Sequence, residues 1–420
     1  MSLVRVLRHN TRMKTRTVIQ KIIFPLIVLV PLLFAVPSHS LSFFQNIPFI
    51  RKDFNFDHFR SLFHQYLFEN ADVPPRVVMD GKAFSLSYSM DPNLEDYVFK
   101  MLKSYRSDFS SVVMLDNETG KILVAIEYDK EKDKRGRIST FTPSHPAASI
   151  FKIITAADLL ENTHVSQNTQ FLYAGKSTTL YKHQLKTTLQ KRWTRTSDFE
   201  QAFARSNNVI FGKAALENLS PTGLKKMAEK FGFNRQLLPL EQMQPSNFPM
   251  ANDQYNFAEL ASGFNVKTLI TPIHGALIAS IAANKGKMRY PAMVQEIKNE
   301  QGEIVWSSPK AEEVVVEPQT AEYLRKLMLA TVEDGTARKA FRRRNKGISE
   351  IEIGGKTGSI TGGLPYGKRD WFVAYARETN NPEDKGISIC VMIVNKKRWY
   401  VKSTFLTKQL IEYYYNNFKS

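Results

Sequence analysis

Ser149-Ile150-Phe151-Lys152 sets a hydroxyl and an amine three residues apart in an apolar, helix-prone stretch. On a helix, residues at i and i+3 face the same way. A serine hydroxyl is a poor nucleophile until a neighbour takes its proton. A lysine can take it only when burial or a nearby cation lowers its pKa, and the flanking apolar residues supply burial. Two other short runs suit the same chemistry. Ser206-Asn207-Asn208 follows a helix: a second hydroxyl there can relay a proton to a leaving group, and an amide can hold a substrate peptide group. Lys356-Thr357-Gly358 ends a strand behind Gly354-Gly355. The glycines let a ligand approach the strand edge, a cation with a hydroxyl suits a substrate carboxylate, and the backbone N–H of Ser359 can stabilise an oxyanion. Singly, each run has a bland explanation: a chance S-x-x-K, polar residues that merely end a helix, a surface lysine on a glycine-rich strand end. The specific signal is all three in this order.

Local patterns say what must position them. Phe84 to Tyr88 alternates with period two, a strand signal. Asp91-Pro92 starts a helix reaching about Tyr105. Val112–Leu115 and Ile122–Ile126 form a hairpin around Asn117-Glu118-Thr119-Gly120. The charged run Lys130 to Arg137 reads as solvated. A helix starts near Ala148, apolar on most sides and therefore central. Another starts at Ser197-Asp198-Phe199-Glu200, read as a capping box, and residues 222–230 and 270–284 read as helices. Gly335 to Lys346 holds Arg338, Lys339, Arg342, Arg343, Arg344 and Lys346, a solvated face or a polyanion contact. Residues 351–357, 371–376 and 387–394 are strands, and a last helix covers about 404–417. Helices in the middle and strands at both ends predict an α+β fold whose sheet is assembled from distant segments.

Composition narrows the class. The 420 residues are 43% hydrophobic, enough for a large core. The net charge of +18 favours anionic lipid or acidic wall polymers, and no compact nucleic-acid motif is present. The single cysteine, Cys390, excludes an intrachain disulfide and sits in an apolar run as a small core residue. Arg5, Arg8, Arg12, Lys14, Arg16 and Lys21 precede an apolar run from Ile22 to Val36. This is the layout of a signal segment. The run is short for a spanning helix of about 20 residues and contains Pro25 and Pro31, while Ser38-His39-Ser40 offers small residues for cleavage. A signal anchor and a cleaved signal peptide both remain open for residues 1–40. Either leaves the rest on the extracytoplasmic face of a bacterial membrane, with residues 22–36 as the membrane contact. Residues 41–83 read as a linker or small packing arm, and 84–418 as the main domain.

These residues together resemble the transpeptidase domain of penicillin-binding proteins, whose signature is S-x-x-K, S-x-N and K-T-G. Further matches are Val113-Met114-Leu115-Asp116 with Thr119-Gly120-Lys121-Ile122-Leu123, Thr271-Pro272-Ile273 with Ala282-Ala283-Asn284-Lys285-Gly286, Glu333-Asp334-Gly335-Thr336-Ala337, and Trp371-Phe372-Val373-Ala374-Tyr375. The resemblance implies a five-stranded antiparallel sheet flanked by helices, with an all-α subdomain. It implies acylation of Ser149 by the penultimate D-alanine of a peptidoglycan stem peptide, with β-lactams as covalent inhibitors and no metal or cofactor. Carried over, Lys152 is the base, Ser206 the proton relay and Asn208 a substrate amide partner. Lys356 and Thr357 hold the carboxylate, Gly358 completes the motif, and the N–H groups of Ser149 and Ser359 form the oxyanion hole. Two departures stand out: Pro146-Ala147-Ala148 where the family often has proline-glycine, and Gly263-Phe264-Asn265 in place of a glycine-glutamine-glycine run, read as a less critical loop. No glycosyltransferase domain fits ahead of residue 84, and no large pedestal domain is expected. The activity implied is that of a D,D-transpeptidase or D,D-carboxypeptidase. A β-lactam hydrolase and a non-catalytic exported scaffold or sensor are the alternatives.

Overall fold

The computed structural model describes residues 49–69, 72–186, 194–238, 240–241, 243–343, 348–381 and 383–419. The expected signal segment, the basic tail before it, and Arg344 and Lys346 of the cationic run lie outside the described residues. Among the described residues no helix is long and apolar enough to cross a membrane.

The main sheet is antiparallel throughout. Its spatial order is Ile351–Gly362, Gly367–Glu378, Ile387–Asn395, Phe109–Asp116, Ile122–Asp129 and Lys134–Gly136. Side chains of a strand alternate between faces, and here both faces are covered. Val112, Met114, Phe372, Ala374, Ile389 and Val391 pack under the helices Pro92–Tyr105 and Ser403–Asn417. Val113, Leu115, Val373, Tyr375, Cys390 and Met392 belong to the second core, against the helix Pro272–Ala283. Every residue of that helix is buried. It approaches the sheet closely because Gly275 has no side chain: a Cβ there would lie 2.9 Å from Cys390 Sγ.

The resemblance implied five strands, and the sheet has six. The extra strand, Lys134–Gly136, lies inside the run expected to be solvated, and Arg137 just after it is only 2% exposed. The cause is Glu95, buried on the helix Pro92–Tyr105, which pairs with Arg137 at 3.2 Å and with Arg135 at 3.0 Å. A buried carboxylate needs such cations, and this demand draws the run onto the sheet edge.

The helical part is not purely helical either. A two-stranded ribbon, Gln170–Ala174 with Thr194–Asp198, leads into the helix Phe199–Ala204. Ser197 is held in that ribbon opposite Phe171. The helix cap is therefore Asp198, which accepts from Gln201 N–H at 2.7 Å, one residue beyond the Ser197 cap expected from the capping box.

The described residues before the main domain, 49–69 and 72–83, are folded. The helix Phe56–Glu69 buries Phe59, Phe63 and Leu67. Strands Phe49–Ile50, Arg76–Met79 and Lys82–Tyr88 join Val294–Lys298 and Ile304–Ser307 in a second, five-stranded antiparallel sheet. It attaches to the main sheet at the turn 117–121, where Ala292 N–H donates to Gly120 O at 3.0 Å.

Candidate active site

The turn that carries Ser149 is wedged between two glycines. Residues Ala148–Phe151 form a 3-10 turn that runs into the helix Lys152–Asn162. Gly263 caps the helix Gln254–Ser262 at φ +66°, and a Cβ on it would fall 2.0 Å from Ala148 O. Gly358 lies on the other side, where a Cβ would sit 3.2 Å from Ile150 Cγ1. Side chains at these two positions would push the turn away from the strand and the helical region. Ala148 itself has φ +51°, a left-handed conformation that costs a non-glycine residue about 1 kcal/mol. This explains the departure before the serine: a position suited to glycine carries alanine, and the surrounding contacts hold it there. The Gly263-Phe264-Asn265 loop, set aside as less critical, in fact abuts the nucleophile turn.

Lys152 is wholly buried. Its Nζ lies 3.0 Å from Ser149 Oγ and 2.6 Å from Asn208 Oδ1, and it also donates to the carbonyl of Ser262. Burial, and after it the charge of Lys356, drive its pKa well below the ordinary lysine value. The partners then dictate geometry. Asn208 Oδ1 and the Ser262 carbonyl can only accept, so a neutral lysine gives them its two hydrogens. Its lone pair is left directed at Ser149 Oγ, 3.0 Å away. Asn208 is fixed from its other end, where Nδ2 donates to Thr178 O at 3.0 Å. Expected as a substrate partner, it acts here first as a lysine partner, with one Nδ2 hydrogen left over.

Ser206 sits between two helices in a left-handed conformation, φ +57°, half-buried. Its N–H donates to Phe203 O at 3.0 Å. Asn207 caps the next helix, accepting from Ile210 N–H at 3.1 Å. Among the described residues Ser206 makes no side-chain hydrogen bond to Ser149, Lys152 or Lys356; the run 206–208 is tied to Lys152 through Asn208.

Lys356, Thr357, Gly358 and Ser359 lie on Ile351–Gly362, a strand at the edge of the sheet that, among the described residues, pairs only with Gly367–Glu378. An antiparallel edge strand leaves every other residue's N–H and C=O unpaired on its free side. Lys356 is buried, with its Nζ 5.3 Å from the Phe203 ring and 3.3 Å from Thr357 O. Burial lowers its pKa to about 7, so an arriving anion would restore its charge. Thr357 Oγ1 is 2.5 Å from Thr336 Oγ1. Thr336 is tied by its own N–H to Ala204 O at 3.1 Å, and Gly335 beside it leaves no room for a Cβ, which would lie 2.4 Å from the same oxygen. Thus Ser149, Lys152 and Asn208 are joined directly, and Lys356 acts on Lys152 through charge. Gly358 and Ser359 flank the turn on the open strand. Thr336 and Gly263 lie in the runs 333–337 and 263–265 noted in the sequence, where neither has a site role, and no feature of the sequence marks Ser262. Among the described residues no cluster of metal-ligating side chains occurs.

The profile of the penicillin binding protein transpeptidase domain matches residues 110–409. Similar solved structures share the fold at low identity. Penicillin-binding protein A from Mycobacterium tuberculosis, as a ceftriaxone acyl-enzyme complex, is 20% identical, with a TM-score of 0.62 over 78% of this chain and 79% of that one. The D,D-transpeptidase domain of a peptidoglycan glycosyltransferase from Eggerthella lenta is 21% identical, with a TM-score of 0.60 over 78% and 82%. A peptidoglycan synthetase from Bifidobacterium adolescentis is 14% identical, with a TM-score of 0.65 over 82% and 65%. No curated protein matches the chain.

Proposed function

Because this chain belongs to the penicillin-binding protein transpeptidase family, we propose that it acylates Ser149 with the D-alanyl-D-alanine end of a peptidoglycan stem peptide. Neutral Lys152 takes the Ser149 proton as Oγ attacks the carbonyl carbon of the penultimate D-alanine. The tetrahedral oxyanion is held by the N–H groups of Ser149 and Ser359. Collapse breaks the C–N bond, and the proton taken by Lys152 is relayed through the Ser206 hydroxyl to the departing amine. The terminal D-alanine leaves with its carboxylate on Lys356 and Thr357. An amine then accepts the acyl group in transpeptidation, or water does in carboxypeptidation. The observation that carries this reading is the three-point hold on buried Lys152, which leaves its lone pair for Ser149.

β-Lactams would enter by the same attack, with ring opening in place of amine release. Intact-mass measurement after benzylpenicillin treatment is expected to show one adduct, mapped to the peptide holding Ser149 and lost in Ser149→Ala. An adduct that persists in Ser149→Ala, or none on the unaltered chain, overturns the proposal. We also propose that residues 22–36 keep the domain at the extracytoplasmic face of the membrane, where peptidoglycan is. Protection from external protease in intact spheroplasts would contradict that placement.

A further inference from the structure

The proposed reaction gives no role to the cationic run after Gly335. Its described part begins beside the carboxylate site. Thr336 Oγ1 meets Thr357 Oγ1, and Thr336 N–H donates to Ala204 O at 3.1 Å. The short helix Arg338–Phe341 follows at once. Phe341 anchors it, 3% exposed, with its ring centroid 5.8 Å from that of Phe372. Arg338, Lys339, Arg342 and Arg343 are exposed. Consecutive Cα atoms are about 3.8 Å apart, so that of Arg338 lies within about 7.6 Å of that of Thr336. Arg342 is one helical turn, about 5.4 Å, further on. Exposed Arg205 reaches the same place from the helical wall, standing between Ala204, whose carbonyl takes the Thr336 N–H, and Ser206.

The acids here are fewer. Asp334 pairs with Arg205 at 3.2 Å, accepts from Gln201, and also feels the charge of Arg338. Glu333 lies by Glu200 and Lys326 on the helical side. Lys408, which donates to the Arg343 carbonyl, has Glu412 at 3.5 Å. Among the described residues no carboxylate is in ion-pair contact with Arg338, Lys339, Arg342 or Arg343. Residues 333–343 thus hold four cations against two acids. Lys356, by contrast, is buried and titrates near 7, so at neutral pH the cleft itself offers an incoming anion only part of a charge. The surface run is charged throughout.

We infer that the cations of 338–343, with Arg205, are an electrostatic guide that concentrates carboxylate-bearing substrate at the mouth of the cleft and so selects anionic over neutral acyl donors. The inference rests on the proposed function for the carboxylate site at Lys356 and Thr357. Direct contact is not required, because the field of exposed charges extends about 10 Å at 0.1 M salt, more than the separation of Thr336 and Arg338. The low-dielectric walls of a cleft focus that field. Guidance acts before the chemical step, so it sets the concentration needed for half-maximal acylation and leaves the limiting rate alone.

Stopped-flow acylation of the full chain in neutral-detergent micelles by benzylpenicillin and by its methyl ester, from about 20 mM to about 500 mM salt, tests the inference. For the acid, the half-saturating concentration should rise about fivefold across that range, and for the ester it should stay within about twofold. Lys339→Glu/Arg342→Glu should raise it about tenfold for the acid at low salt, keep the limiting rate, and flatten the salt response. Lys339→Gln/Arg342→Gln should fall between. An equal salt response of acid and ester, a fall in the limiting rate in place of half-saturation, or double variants equal to the unaltered chain each overturns the guide. So does retention on a polyphosphate matrix that the double variant loses while its acylation is unchanged, which would make the run a polyanion contact. Calorimetric binding of acetyl-D-alanyl-D-alanine and of its C-terminal amide to Ser149→Ala repeats the comparison without the reaction. A preference for the acid that is lost when Lys339→Glu/Arg342→Glu is added supports the guide even if Ser149 is never acylated. Acylation of Ser149 with no such preference sinks the guide and leaves the proposed reaction standing.

Discussion

Gly263→Ala separates a catalytic effect from a stability effect. The substitution has two costs. The first is backbone: alanine at φ +66° costs about 1 kcal/mol. The second is contact: the new Cβ would fall 2.0 Å from Ala148 O, 2.6 Å from Ala148 C and 3.2 Å from Ser149 N. Relief to ordinary contact requires more than about 1 Å of separation between the Gly263 loop and the nucleophile turn. Ser149 Oγ is then carried away from Lys152 Nζ, now 3.0 Å away, and from the oxyanion site. A 1 Å misplacement of reacting groups costs about 10²-fold in rate, or about 2.7 kcal/mol of barrier. Gly302 is the control: its φ is +79°, and a Cβ there meets nothing within 4 Å. Gly302→Ala has the backbone cost alone. Stopped-flow acylation by a fluorescent penicillin, with thermal unfolding alongside, reads both. Gly263→Ala should acylate about a hundredfold more slowly, and Gly302→Ala at the unaltered rate with a small loss of stability. Acylation of Gly263→Ala within threefold of the unaltered chain would refute the reasoning that this contact sets the position of Ser149.

Four further outcomes are expected. The acylation rate should fall as pH drops, because protonation removes the Lys152 lone pair; Lys356→Met should move that fall to higher pH, since the Lys356 charge helps depress Lys152, and an unmoved profile would contradict the coupling. The same variant bears on stability: Lys356 titrates near 7 in the fold against an ordinary 10.5, so between those values the unfolded chain binds the extra proton and stability rises with pH. Lys356→Met should flatten the rise in Tm over that window. Thr336→Val removes the hydroxyl paired with Thr357 Oγ1; with Thr336 as the donor of that pair, the Thr357 proton is free for a substrate carboxylate, so acylation by benzylpenicillin should slow about fivefold, with Thr336→Ser restoring it and the methyl ester unaffected; equal slowing of acid and ester would overturn that direction and mean a merely structural role. Arg137→Met leaves buried Glu95 with Arg135 as its one paired cation, beside the Ala125 N–H, and should cost about 3 kcal/mol in urea unfolding; a loss under about 1 kcal/mol would show that Arg135 suffices.

Much of the architecture was legible because the signals are local. Near-continuous apolar runs at 112–115, 122–126, 371–376 and 387–394 lie within observed strands, since a sheet covered on both faces buries successive residues along each strand. Asp91-Pro92 and Thr271-Pro272 cap helices as their local chemistry requires. The sixth strand was not legible. Its charged residues look solvated until Glu95, about forty positions earlier, is placed beneath them. The cap at Asp198 was hidden in the same way, because a ribbon partner at 170–174 decides where the helix can start.

The amino-acid order alone determined the family, the sequence of the three short motifs, and the strands and helices that carry them, because each depends on neighbours along the chain. Only the tertiary structure decided that the Ser262 carbonyl takes a Lys152 hydrogen, that Gly263 backs onto Ala148, and that Thr336 meets Thr357. Each is a contact between residues from 21 to 115 positions apart. A carbonyl oxygen, a missing side chain and a lone hydroxyl leave no periodic trace in a sequence. They acquire chemical meaning only when packing brings a buried amine, a strained turn or a second hydroxyl within a few ångströms.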